Sequence, residues 1–108
     1  LLLTTTGART GRPHTTPLLY LPDGDRLVVF GTKGGAPKNP DWYHNLVANP
    51  DVTAEIGTET RRFRSHVAAA AEREPIWTKQ KQAYPGFADY ETRTTREIPV
   101  VILEPHTN

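Results

Sequence analysis

The 108-residue chain carries 13 Lys+Arg against 12 Asp+Glu, a formal net charge of +1, so its overall balance does not mark a polyanion-binding protein and no nucleic-acid partner is expected. The absence of cysteine excludes disulfides, thiolate metal sites and a cysteine nucleophile, and the length accommodates one modest core, so a single domain over residues 1–108 is expected. No apolar run approaches the ~20 residues of a membrane span, and the four histidines, His14, His44, His66 and His106, lack metal-ligand spacing, so no metal site is expected.

The chain opens on Leu1-Leu2-Leu3 and contains no methionine, which reads as the middle of a strand, with a native N-terminal segment missing ahead of it. Leu1 to Thr6 is β-prone, and Gly7-Ala8-Arg9-Thr10-Gly11-Arg12-Pro13 follows as a turn-rich, doubly basic loop. Thr15 to Leu21 resumes strand character. Pro22-Asp23-Gly24-Asp25 is a hairpin signal, and Arg26 to Gly31 is the returning strand. Pro40 to Ala48 forms a short helix with Asn39 as N-cap and Pro40 at the first helical position. Val52 to Ile56 and Glu59 to Val67 make a second hairpin, with Arg62, Arg64 and His66 on a solvated face. Ala68 to about Gln82 turns helical, with Pro75 tolerable only in a first turn and Thr78 to Gln82 facing solvent. A short helical piece spans Tyr84 to Tyr90. Ile98 to Leu103 closes the chain as an apolar strand whose Pro99 argues for an edge or a first position. About six strands and two to three helices result, joined by hairpins rather than βαβ crossovers.

The chemistry gathers in Gly31-Thr32-Lys33-Gly34-Gly35-Ala36-Pro37-Lys38, which runs from strand end through a glycine turn to a helix start. Glycines let backbone N–H groups approach a ligand, Lys33 adds charge, and the next helix presents its free amides, so this is the composition of an anion cradle. If the two glycine-bearing loops lie side by side, Arg9, Arg12, Lys33 and Lys38 converge on an elongated acidic ligand. There is no Gly-x-Ser-x-Gly, no His/Glu metal pair and no paired carboxylates, so a bound cofactor is expected to carry the chemistry.

Taken together, Leu2-Leu3-Thr4-Thr5-Thr6-Gly7, Pro17-Leu18, Lys33-Gly34-Gly35-Ala36, Asn39-Pro40-x-Trp42-Tyr43-x-Asn45-Leu46, Ala48-Asn49-Pro50, Tyr84-Pro85 and Ile98-Pro99-Val100-Val101 resemble the deazaflavin-dependent nitroreductases of actinobacteria. The resemblance implies an α+β fold, a mainly antiparallel split β-barrel related to the FMN-binding barrels. It implies coenzyme F420, an 8-hydroxy-5-deazaflavin with a phosphodiester and oligoglutamate tail, as hydride carrier to quinones, nitroaromatics or activated enones. Carried over by position, it assigns cofactor contacts to Ala8, Arg9, Thr10 and His14, to Gly31, Thr32, Lys33, Gly34 and Gly35, and to Asp41, Trp42, Tyr43, His44 and Asn45. It assigns an aromatic acceptor-binding lid to Tyr84, Phe87 and Tyr90. The proton that balances the hydride is expected from water or from a catalytic hydroxyl, Tyr84, Tyr90 or Thr32. It further implies a homodimer and a cytoplasmic protein at the inner face of the membrane, attached through the missing N-terminal segment. Relatives usually carry a basic residue in place of Ala8 and arginine in place of His14, which lowers the expected affinity for the acidic tail.

Each residue also has a plainer reading. Trp42 and Leu46 have the spacing of core anchors, and His44, His66 and His106 read as surface histidines. Two rival functions use the same loops: an FMN-dependent oxidoreductase, for which one phosphate suffices, and a non-catalytic flavin or deazaflavin carrier.

Overall fold

A computed structural model describes residues 1–106, Gly34 by its secondary structure alone. Among the described residues the strands are β1 (Leu2–Thr6), β2 (Pro13–Pro17), β3 (Leu21–Asp23), β4 (Arg26–Phe30), β5 (Asp51–Ile56), β6 (Glu59–Val67) and β7 (Val100–Pro105). They form one sheet in the order β2-β1-β5-β6-β7-β4-β3, every ladder antiparallel. The helices are α1 (Asp41–Ala48), α2 (Ala70–Ala83) and α3 (Gly86–Thr92), with a 3-10 turn at Lys33–Gly35.

The order dictates the shape. β2 and β3 are opposite edges, yet only Leu18, Leu19 and Tyr20 separate them in sequence. That connection reaches at most about 14 Å, whereas the edges of a flat seven-strand sheet lie about 29 Å apart, so the sheet curls into a half-barrel. The expected single strand over Thr15 to Leu21 therefore breaks in two, because the chain leaves one edge and joins the other.

The curl wraps a core. Leu3 of β1 and Leu27 and Val29 of β4 share one cluster with Val52, Ala54, Phe63, Val101 and Leu103, closed by Trp42 and Leu46 of α1. On the other face of β4 and β7, Val28, Phe30, Val100 and Ile102 pack with Trp77 of α2, Phe87 of α3, Ala68 and Ile98. Because β4 and β7 are covered on both faces, Leu27 to Phe30 and Val100 to Leu103 are buried without a break.

Four expectations shift. β7 lies between β6 and β4, so it is no edge strand; Pro99 stands just outside its ladder, where no strand N–H is needed. α2 starts at Ala70 and runs through Pro75 in its second turn. The helix tolerates that proline because buried Arg73 and Trp77 anchor it, Arg73 donating from Nε and Nη2 to the Ile98 carbonyl at 3.2 and 2.9 Å. Gln80 does not face solvent but is fully buried, at 0% exposure, while Thr78, Lys79 and Gln82 are exposed. α1 begins at Asp41, with Pro40 in the cap position at φ −68° and ψ 157°, because the Asn39 side chain is engaged elsewhere. Among the described residues no helix is long and apolar enough to cross a membrane.

Candidate functional site

Four antiparallel steps separate β1 from β4, so the two strands run in the same direction and the loops that follow them leave the same end of the half-barrel. They are not hydrogen-bonded neighbours. α1 lies at that end between them.

The first loop, Gly7 to Arg12, closes on itself through Gly7 N–H to the Arg12 carbonyl at 2.8 Å and Gly11 N–H to the Gly7 carbonyl at 2.9 Å. Thr10 and His14 fold over Gly7, so that a Cβ there would stand 2.7 Å from Thr10 Oγ1 and 2.9 Å from His14 Nε2. Asn45 ties the loop to α1, accepting from Ala8 N–H at 3.0 Å and donating from Nδ2 to Thr5 Oγ1 at 3.2 Å. The result is a cavity of about 560 Å³ between this loop, β2 and the start of α1. It brings together Ala8, Arg9, Thr10 and His14 with Asp41, Trp42, His44 and Asn45. Trp42 is buried in the core and edges the cavity. Asn45 spends its amide on the loop, and Tyr43 packs against the core beside His44, ring centroids 5.4 Å apart.

The second loop is built differently. Gly31 is buried, donates to the Pro99 carbonyl at 2.9 Å, and leaves no room for a side chain, since a Cβ would meet Pro99 Cγ at 2.6 Å. Lys33, exposed, adopts φ +46°, the left-handed region that costs a non-glycine residue about 1–2 kcal/mol. Gly35, at φ +80°, is pressed against the end of α3: a Cβ would lie 2.8 Å from Arg93 Cβ and 3.2 Å from the Tyr90 carbonyl oxygen. The surroundings of Gly34, also expected at the cofactor, lie outside the described residues. None of Gly31, Thr32, Lys33 and Gly35 lines the 560 Å³ cavity.

Arg96, which sequence reasoning passed over, holds this loop. Its guanidinium donates to the carbonyls of Ala36 at 2.9 Å, Gly31 at 2.9 Å and Thr32 at 2.7 Å, and to Asn39 Oδ1 at 2.7 Å. No carboxylate stands within ion-pair distance of it among the described residues, and burial pushes its pKa down. A lone arginine in Thr94-Thr95-Arg96-Glu97 offers no periodicity or motif by which to find it.

Arg9, Arg12, Lys33 and Lys38 also form no ion pair among the described residues. Beside the second loop, the three aromatics expected to form a lid differ in burial. Phe87 is buried at 7% exposure, its ring centroid 5.7 Å from Phe30, 6.0 Å from Trp77, 6.1 Å from Tyr84 and 5.4 Å from Tyr90. It is a core plug, while Tyr84 is exposed and Tyr90 half-buried. Glu91 fastens α3 to α2 by accepting from Trp77 Nε1 and Lys81 Nζ. Burial raises the Glu91 pKa, but these donors outweigh it and hold the carboxyl below its usual range.

The model of the F420H(2)-dependent quinone reductase family matches residues 1–105. An F420H(2)-dependent quinone reductase of Mycobacterium tuberculosis H37Rv is 42% identical over 95% of this chain and 71% of its own length. A solved F420-H2 dependent reductase superposes with a TM-score of 0.86 at 38% identity, covering 95% of this chain and 91% of the other. A structure described as a domain-swapped dimer does so with a TM-score of 0.87 at 38% identity, over 95% of this chain and 78% of the other. The curled antiparallel sheet is thus a split β-barrel of the FMN-binding type, and the chain belongs to the F420H(2)-dependent quinone reductases, a family of oxidoreductases that depend on coenzyme F420.

Proposed function

We propose that this chain passes a hydride from reduced coenzyme F420 to a quinone at the end of the half-barrel where both loops emerge. The observation that carries the reading is the 560 Å³ cavity, whose lining joins the basic first loop to the start of α1. Its donor set fits an acidic tail: Arg9 offers a guanidinium, Thr10 a hydroxyl and His14 an imidazole, with Asp41 as the one carboxylate among the lining residues. Lys33 extends the positive field toward the second loop, and Thr32 stands beside it. The bound cofactor supplies the hydride. The chain's own part is to fix the tail, to cover the acceptor with Tyr84 and Tyr90, and to let the acceptor oxygen take its balancing proton from water or from Tyr90 Oη, Tyr84 Oη or Thr32 Oγ1, the donor hydroxyl regaining its proton from solvent. Phe87 supports those tyrosines from beneath. Nitroaromatics and activated enones are further acceptors under the same reading. A homodimer belongs to it too, in line with the domain-swapped neighbour.

The test is to mix the protein with reduced coenzyme F420 and a soluble quinone and follow return of the oxidised cofactor's fluorescence. Turnover is the expected result. Cofactor binding without turnover would make the chain a carrier, and preference for FMN in a parallel titration would make it a flavin enzyme.

A further inference from the structure

We propose that Arg96 is a positioning residue for the cofactor site, turning the second loop's amides outward as an anion-binding pair. The inference rests on the reading that this loop faces the cofactor. A trans peptide places its C=O and N–H on opposite sides, and no peptide bond is cis among the described residues. Arg96 draws the carbonyls of Gly31 and Thr32 toward itself. The N–H groups of the same two peptides, those of Thr32 and Lys33, therefore point away from the guanidinium. Neither has a hydrogen-bond partner among the described residues. Two adjacent N–H groups without internal partners, at a turn of αR then left-handed backbone that carries exposed Lys33, form a donor set of the kind that holds phosphate or carboxylate.

The clamp also accounts for the backbone of Lys33. A left-handed lysine relaxes unless its surroundings over-determine it, and here both sides of the loop are held: Arg96 gathers three carbonyls, while Gly35 rests on Arg93 and the Tyr90 carbonyl. Asn39 Oδ1 completes the guanidinium's set, so the residue ahead of α1 is drawn into the same arrangement. A lysine in place of Arg96 has one nitrogen and no planar fork, and reaches fewer of these acceptors. With no carboxylate in reach, the arginine's charge remains available to the loop's anion.

The experiment compares wild type, Arg96→Met and Arg96→Lys by fluorescence titration with coenzyme F420 and by amide exchange of Gly35 and Ala36, whose N–H groups bond the Thr32 and Lys33 carbonyls. Arg96→Met is expected to weaken cofactor binding about 10-fold or more. Exchange at Gly35 and Ala36 should accelerate while the β5–β6 hairpin stays unchanged, and added methylguanidinium should restore part of the affinity of Arg96→Met. Arg96→Lys should fall between. Wild-type affinity and unchanged exchange in Arg96→Met would overturn the inference, as would an affinity loss accompanied by equal loosening of the β5–β6 hairpin. If Arg96→Met does not fold, Arg96→Lys and Asn39→Ala, which removes one of the four bonds, should show smaller effects of the same sign; no effect in either overturns the inference. Failure of wild type itself to bind coenzyme F420 would instead sink the proposed function on which the inference stands.

Discussion

The two glycine-bearing basic loops at the ends of β1 and β4 have nearly the same composition, but they are held in opposite ways. The first is a self-closed turn on the surface, fastened to α1 by Asn45 and open to a cavity. The second is wedged between Arg96, Pro99 and the end of α3, with Gly31 and Gly35 serving close packing. Gly11 shows the contrast most simply: at φ +67° it has nothing within 4 Å of a notional Cβ, whereas Gly35 at φ +80° has Arg93 at 2.8 Å. One loop is shaped by its own backbone and the other by its neighbours. Side chains can therefore change in the first loop at little cost to the fold, while on the proposed function the second loop couples cofactor contact to stability.

The largest effect should come from removing the second loop's seat. Phe87→Ala empties a ring from the Phe30, Trp77 and Tyr90 cluster, and should cost about 3–5 kcal/mol of stability by denaturant unfolding. Lower turnover with unchanged stability would return Phe87 to the acceptor lid. Next, Gly35→Ala should cost about 2–4 kcal/mol, from left-handed strain plus overpacking, and Gly11→Ala only about 1 kcal/mol from strain alone. Equal losses would erase the distinction between the loops. Lys33→Ala should weaken coenzyme F420 binding by about 1.5–3 kcal/mol with a smaller fall in turnover at saturation, and wild-type affinity should decline as salt rises. Salt-independent titrations would point to contacts dominated by the ring rather than the tail.

A smaller effect concerns the Glu91 fastening. Its folded pKa is depressed, so the stability it confers is present above the unfolded value near 4.5 and is lost as pH falls through the folded value. Between about pH 5 and pH 3, wild type should lose more stability than Glu91→Gln, in thermal melts at matched ionic strength. Parallel curves would show that Trp77 and Lys81 gain nothing from the charge. The smallest effect belongs to the open loop. His14→Arg should tighten coenzyme F420 binding by about 0.2–1 kcal/mol at mildly alkaline pH and leave the melting temperature unmoved. A shift in stability without a shift in affinity would mean that His14 serves Gly7 packing alone.

Reading the sequence recovered the β5–β6 hairpin, the solvated Arg62, Arg64 and His66 face, and the returning strand after Gly24, because alternation and turn chemistry are local signals. It set Ala8, Arg9, Thr10 and His14 together with the start of α1, and the cavity joins them. The alignment of Arg96 with four acceptors up to 65 residues away was not legible. Nor was the burial of Gln80 or Phe87, since a polar residue in a polar run and an aromatic in a Pro-Gly-broken segment resemble surface until α2 and α3 are docked.

The sequence by itself determined the half-barrel's parts, the family and the basic character of both loops, since apolar period, glycine turns and motif order are properties of neighbouring residues. Only the tertiary structure decided which loop lines a cavity, which is clamped, and that Phe87 is core. Those outcomes depend on the curl that brings β2 toward β3 and on side chains meeting across long sequence separations, where packing and unpaired backbone groups, rather than local preference, set the lowest free energy.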